Sequence, residues 1–406
     1  MNPNFTSSFR YLSRSLRKAL GGAWIALLLS NLGWASAYQL QPIWSQLPQL
    51  TSAVYLPHRP HQWLGGLKTG EMYWLHDVSG RSEIIHRFAV NTASEMGLLA
   101  IQLHPDFPVD PRVFVLVNPA GNALSTELQQ WRWQHAPGQM PTLTQPEVLL
   151  TVPQPNVDHK GGGLMFGADG YLYIGLGDGG SLNNGLNVAQ NGRSWLGKVL
   201  RIDINQRRLG IPYSIPADNP FMNTPGYLPE IWALGVRNPT HFALDASAQL
   251  WVVDAGPEGT NEINRLSIGS NLGWRCMDGE RRLFSHAECA PGEFQAPLYA
   301  FQGNGMRRMT GGVWYRGESM PELEQRFLFA DFNEGALQAM SATGEVQTFL
   351  RADLNPSAFI ERPDGAVLLA DFLSGKIYQL VHASQTADHD QQLGEHEADH
   401  LQPAQP

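Results

Sequence analysis

Two residues nineteen positions apart, His159 and Asp178, are the strongest candidates for chemistry in this chain. His159 lies in Asp-His-Lys-Gly-Gly-Gly (158–163) and Asp178 in Gly-Asp-Gly-Gly (177–180), with a strand-like apolar run between them. A histidine can take up a proton near neutral pH, and glycines let a ligand approach the backbone closely. A neighbouring aspartate would orient the imidazole and favour its charged form. The same residues also suit a hydrogen-bonded structural histidine and a tight turn after a strand. The pair alone leaves both readings open.

Other segments combine turns with polar side chains. Gly-Val-Arg-Asn-Pro (235–239) sets Arg237 and Asn238 at the end of an apolar strand. There a cation and an amide could hold an anionic ligand, or simply satisfy loop carbonyls. The stretch 254–264, DAGPEGTNEIN, is rich in carboxylates, carbonyls and tight turns, as calcium loops are, but lacks EF-hand spacing. No phosphate-cradling glycine loop follows a strand and opens a helix, and no Ser-His-Asp or zinc constellation stands out.

The elements that must position these residues are strands. Short β-branched and aromatic runs are punctuated by Asp-Gly, Asn-Gly and Gly-Gly, and helical periodicity is scarce. A unit of Phe, turn, then apolar strand ending near Asp recurs from Phe166, Phe242 and Phe359, and in shortened form from Phe327. Such repeats predict an all-β, six-bladed β-propeller of four-stranded antiparallel blades, over residues 38–383. Ordinary hairpins in a sandwich are the plainer alternative. Asp178, Asp254 and Asp331 fall 76 and 77 residues apart, read here as two blades per interval.

The chain's 406 residues, 43% hydrophobic and 16% charged, suffice for a large core. A formal net charge of −9 argues against nucleic-acid partners, because phosphate backbones repel an acidic surface. Residues 1–37 read as an export signal: a basic stretch, the apolar run ALGGAWIALLL, then Ala-Ser-Ala before Tyr38. That run is shorter than a spanning helix, so stable membrane insertion is not expected. Cys276 and Cys289, on either side of a loop-like stretch, read as a local disulfide in an oxidising compartment. Closing such a loop contributes about 3 kcal/mol in the chain-entropy model. The acidic tail 384–406 has no apolar periodicity and is expected to be disordered, with His389, His396 and His400 merely solvated.

Taken in order, several segments resemble one family. They include GLLAIQLHPDF (97–107), the stretch 158–180, LGKVLRIDI (196–204), PEIWALGVRNP (229–239), NEINRLSIGSNLGWRC (261–276) and TGGVWYRG (310–317). The set is similar to the soluble glucose/sorbosone (aldose sugar) dehydrogenases that use pyrroloquinoline quinone (PQQ). The resemblance implies His159 as the base that deprotonates a sugar's anomeric hydroxyl, and Asp178 as the acid supporting it. It implies cofactor contacts at Glu95, Arg237 and Asn238. It also implies Ca2+ held by the carbonyls of Gly256 and Pro257, with Asn261 and Glu262 in the segment of a second, structural calcium. A sugar and an external electron acceptor would be the partners, in a periplasmic or secreted monomer or homodimer.

Three departures stand out. Asn333, Asn355 and Ser357 occupy positions where the resemblance leads one to expect cations on the quinone's carboxylates. Each such bond is worth about 1.5–3 kcal/mol. Arg307 and Arg308 are the candidate replacements. The competing expectation is a non-catalytic propeller that binds a protein or glycan. Hedgehog-interacting proteins use the fold in that way, and Trp-Arg-Cys with its downstream Cys289 is similar to that branch.

Overall fold

Turn residues every few positions cut the apolar runs into strands too short to pack alone, so they must stack as small sheets. The computed structural model describes residues 37–59, 61–136, 138–180, 187–257, 260–283, 289, 293–301 and 308–384. The expected leader 1–37 apart from Ala37, the expected tail 384–406 apart from Ser384, and Arg307 lie outside these residues. The described chain is nearly all β. Six four-stranded antiparallel sheets form a six-bladed β-propeller.

In chain order the blades begin with first strands Leu50–Tyr55, Leu98–Leu103, Leu164–Phe166, Pro239–Leu244, Met309–Trp314 and Pro356–Glu361. Each first strand packs against those of both neighbouring blades, which closes the ring. Blade 6 takes its fourth strand, Tyr38–Trp44, from the beginning of the fold. Residues 40–381 form one compact unit; the other described residues, 37–39 and 382–384, belong to a second.

The core lies between blades rather than inside one sheet. One cluster joins blades 1 and 2 through Leu64, Met72, Val113 and Val115; another joins blades 4 and 5 through Trp251, Val253, Phe327 and Phe329. Trp63 and Trp251 are wholly buried. Side chains of that size supply much of the area that holds neighbouring blades together.

A second device repeats around the ring. Five first strands shift register near their start, at Leu50/Ser52, Leu98/Ala100, Pro239/His241, Thr310/Val313 and Pro356/Ala358. A bulge leaves one residue unpaired and re-aims its side chain. At three joints a hydroxyl there bonds the next first strand. Thr310 donates to the Pro356 carbonyl (2.6 Å), Ser357 to that of Leu50 (2.8 Å) and Thr51 to that of Leu98 (2.7 Å). Between blades 3 and 4 the Gly163 N–H does the same to the Pro239 carbonyl, at 3.1 Å.

The repeat spacing needs correction. Asp178, Asp254 and Asp331 lie at or just after the second strands of blades 3, 4 and 5, so each interval is one blade and not two. The long stretches 203–230 in blade 3 and 267–298 in blade 4 stretch these blades. Cys276 and Cys289 form the expected disulfide within the second of them.

Candidate active site

His159 stands in the loop leading into the first strand of blade 3, with left-handed backbone (φ 53°). A non-glycine residue holds that conformation only when its surroundings impose it. Its N–H donates to Glu95 Oε2 at 2.7 Å. Gly177 must be glycine, because a Cβ there would sit 2.1 Å from the His159 carbonyl oxygen.

The imidazole is gripped at both nitrogens. Nδ1 is 2.7 Å from Asp178 Oδ1, and Nε2 is 2.8 Å from Arg237 Nη2. A guanidinium only donates, so Nε2 accepts and the ring proton belongs on Nδ1, donated to Asp178. These partners therefore assign the tautomer with its basic lone pair at Nε2.

Asp178 is buried, which alone would raise its pKa. The bond from His159, the Gly180 N–H (3.0 Å) and the Trp274 indole N–H (2.8 Å) outweigh burial and hold the carboxyl below its usual range. It is an anion at neutral pH.

Arg237 bridges His159 to the Ala255 carbonyl (2.7 Å) and lies over the Trp274 ring, 5.4 Å from its centroid. Asn238 is used at both ends of its amide: Oδ1 accepts from Gly161 N–H (2.8 Å) and Nδ2 donates to Glu95 Oε2 (3.0 Å). Asp254 accepts the N–H groups of Arg237 and Asn238, which fixes the loop that carries both. Glu95 thus ties the loops of blades 2, 3 and 4 together.

These residues border a cavity of about 650 Å3. Glu95, His159, Arg237, Asn238, Arg308, Gly256 and Asn261 line it, whereas Pro257 and Glu262 do not. Arg308 is a rim residue, its side chain 62% exposed, 3.9 Å from Glu95 Oε1. Sequence reasoning missed three neighbours. Lys68 lines the cavity after an apolar strand, the same placement as Arg237, which was the available signal. His241 faces the cavity with a buried Nδ1 that has no hydrogen-bond partner, and burial pushes its pKa down to about 4. Trp274 holds Asp178 from 96 residues away, a pairing with no local signal. Among the described residues that line it, Lys68, Arg237 and Arg308 stand against the single carboxylate of Glu95, so this lining is cationic.

The residues present fit a planar tricarboxylate such as PQQ: cations contributed around the cavity by Lys68, Arg237 and Arg308, the rings of Phe332 and Phe372, and an unpartnered His241 nitrogen. Calcium has hard-oxygen surroundings in blade 4. Asp254 and Glu262 are cross-strand partners. Burial and then the Glu262 charge push Asp254 up to about 7; burial foremost, with Asp278 adding to it, raises Glu262. The buried Asn264 Oδ1 has no partner there. Glu262 already accepts the Gly279 N–H (2.6 Å) and the Asn264 amide (3.1 Å), and the Pro257 carbonyl accepts the Thr260 N–H (2.9 Å). Among the described residues, no group of three or more His, Cys, Asp or Glu converges to hold a metal.

The chain is a six-bladed propeller with a carboxylate-held histidine at a cationic cavity. The chain belongs to the glucose/sorbosone dehydrogenase family, whose model matches residues 50–378. It is 35% identical over 208 residues to the HIPL1 protein of Arabidopsis thaliana, covering 45% of this chain and 30% of that one. The chain thus spans about a third of that plant relative. It is 26% identical over 344 residues to the aldose sugar dehydrogenase YliI of Escherichia coli, covering 79% and 86%. The human Hedgehog-interacting protein matches at 27% over 266 residues, covering 60% and 34%. Among solved structures, the PQQ-bound aldose sugar dehydrogenase of Streptomyces coelicolor superposes with a TM-score of 0.68 at 20% identity, covering 86% and 99%. At that identity the likeness speaks for the fold.

Proposed function

We propose that the protein is an exported PQQ- and calcium-dependent dehydrogenase that oxidises aldose sugars at the anomeric carbon to lactones. One observation carries the reading: His159 presents an unprotonated Nε2 toward a cationic cavity while Asp178 fixes its Nδ1 proton at 2.7 Å. PQQ, when bound, supplies the acceptor for the hydride that leaves the sugar carbon.

The chain's own residues do the rest. Nε2 of His159 takes the proton of the anomeric hydroxyl, and the Asp178 anion stabilises the imidazolium that forms. A sugar hydroxyl approaching Nε2 competes there with Arg237, which can turn its guanidinium to an anionic ligand. Arg237, Asn238 and Arg308, with Glu95 beside them, would hold the cofactor. The carbonyls of Gly256 and Pro257 would hold calcium as a Lewis acid, with Asn261 and Glu262 beside a second ion. The disulfide, together with the basic-apolar leader, supports export to the periplasm or beyond.

Reconstitution with PQQ and Ca2+, followed by dye reduction across a panel of aldoses, tests the reading. Sugar-dependent reduction is expected; no reduction and no quinone binding would remove it. The non-catalytic alternative draws on the neutral Asn333, Asn355 and Ser357 and on the Trp-Arg-Cys segment. It predicts no PQQ binding in a direct titration.

A further inference from the structure

Among the described residues, three cations face the cavity, and proton transfer at His159 engages Arg237. The other two, Lys68 and Arg308, come from blades 1 and 5. Lys68 is built in rather than trailing. Its N–H donates to the Gln49 carbonyl (2.8 Å), and its own carbonyl accepts the Leu98 N–H (3.1 Å). Gly97 makes room for it: a Cβ there would lie 2.4 Å from the Lys68 carbonyl oxygen and 2.8 Å from its Cγ. The ammonium donates to the Thr92 carbonyl at 2.5 Å, one bond for a group with three donors.

Arg308 is anchored by its carbonyl, which accepts the Phe332 N–H at 2.8 Å, while among the described residues its guanidinium has only the long 3.9 Å approach to Glu95. The other Glu95 oxygen already accepts from His159 and Asn238. Both cations are therefore under-neutralised at the cavity. The positions expected to be cationic are neutral and engaged elsewhere. Ser357 bonds the Leu50 carbonyl, and Asn355 Nδ2 donates to the Phe332 carbonyl at 2.8 Å. Above them the wall is aromatic, with Phe332 and Phe372 edge to face, centroids 5.8 Å apart.

We propose that Lys68 and Arg308 are the carboxylate clamp of this cavity, holding a flat aromatic polycarboxylate beside Phe332 and Phe372 and supplying the charge that Asn333, Asn355 and Ser357 lack. The inference rests on the reading of the cavity as the quinone site and assigns that site's anion contacts in this chain.

The test is a binding titration of the purified protein, read by tryptophan fluorescence and calorimetry, with two probes: PQQ and benzene-1,3,5-tricarboxylate. Lys68→Met and Arg308→Met are each expected to weaken PQQ binding roughly 10- to 100-fold, with unchanged melting temperature and a shallower salt dependence. Lys376→Met, a change at an exposed lysine outside the cavity, leaves binding unaltered. PQQ binding that is equal in wild type and both variants overturns the clamp and leaves the dehydrogenase reading standing. If the tricarboxylate binds and the variants weaken it while PQQ does not bind, the clamp stands and the dehydrogenase reading falls. Binding of neither probe overturns both.

Discussion

The two sides of the cavity differ in how much polarity they bury. On the side of blades 3 and 4, Lys160, Asp178, Lys198, Asn238, Asp254 and Asn264 are all buried polar groups. Lys198 donates to the carbonyls of Val188 and Leu196, and burial pushes its pKa down to about 7; burial pushes Lys160 down to about 8. On the side of blades 5 and 6, Phe332 and Phe372 face the cavity, the bulge hydroxyls are spent on joining blades, and the buried Asp331 and Asp371 are taken up by turn N–H groups. Buried polarity is costly, and a fold concentrates it where chemistry needs fixed charges. One side is a preorganised proton-transfer apparatus; the other is a wall that shapes what enters.

That contrast can be broken from either side. The largest effect belongs to Asp178→Asn, which removes the charge behind His159. Sugar-dependent turnover is expected to fall by roughly 10²- to 10⁴-fold while PQQ affinity changes little. A parallel loss of quinone binding would make Asp178 a structural residue instead. Next, Trp274→Phe removes an indole donor from a buried carboxylate, at a cost of about 1–3 kcal/mol. Both thermal stability and turnover should drop, and an unchanged melting temperature would contradict the grip described here.

Lys198→Met probes the cost of polarity in blade 3. The folded chain binds this proton more weakly than the unfolded one, whose lysine titrates near 10.4. The penalty is therefore full below pH about 7 and is relieved as pH rises toward that unfolded value. Wild-type stability should gain at most about 1.4 kcal/mol per pH unit from this residue across that window, and denaturant titrations of the variant should lack that slope. The smallest effect is expected at Ser357→Ala, which loses one inter-blade bond. Stability should fall by about 1 kcal/mol with turnover intact, and a large loss of turnover would place chemistry on the wrong side.

Much of this architecture is legible in the sequence, for local reasons. Turn residues at short intervals and the Phe-to-Asp unit point to a propeller, and glycines beside His159 and Asp178 mark the loops that meet. The blade spacing is misleading, because 203–230 and 267–298 lengthen two consecutive blades until one blade imitates two. Trp274 reaches Asp178 from 96 residues away, a pairing that no local pattern relates, whereas Lys68 after its apolar strand and His241 three residues beyond Asn238 carry local signals too weak to single out. Ser357 is read as a missing cation, although its hydroxyl is the bond between blades 6 and 1.

The most direct test of the account compares wild type with His159→Gln after reconstitution with PQQ and Ca2+, measuring quinone binding and aldose-dependent dye reduction on the same samples. The account predicts matched quinone binding and turnover reduced by roughly 10²- to 10⁴-fold in the variant. Equal turnover in the two proteins, at matched quinone occupancy, would contradict it.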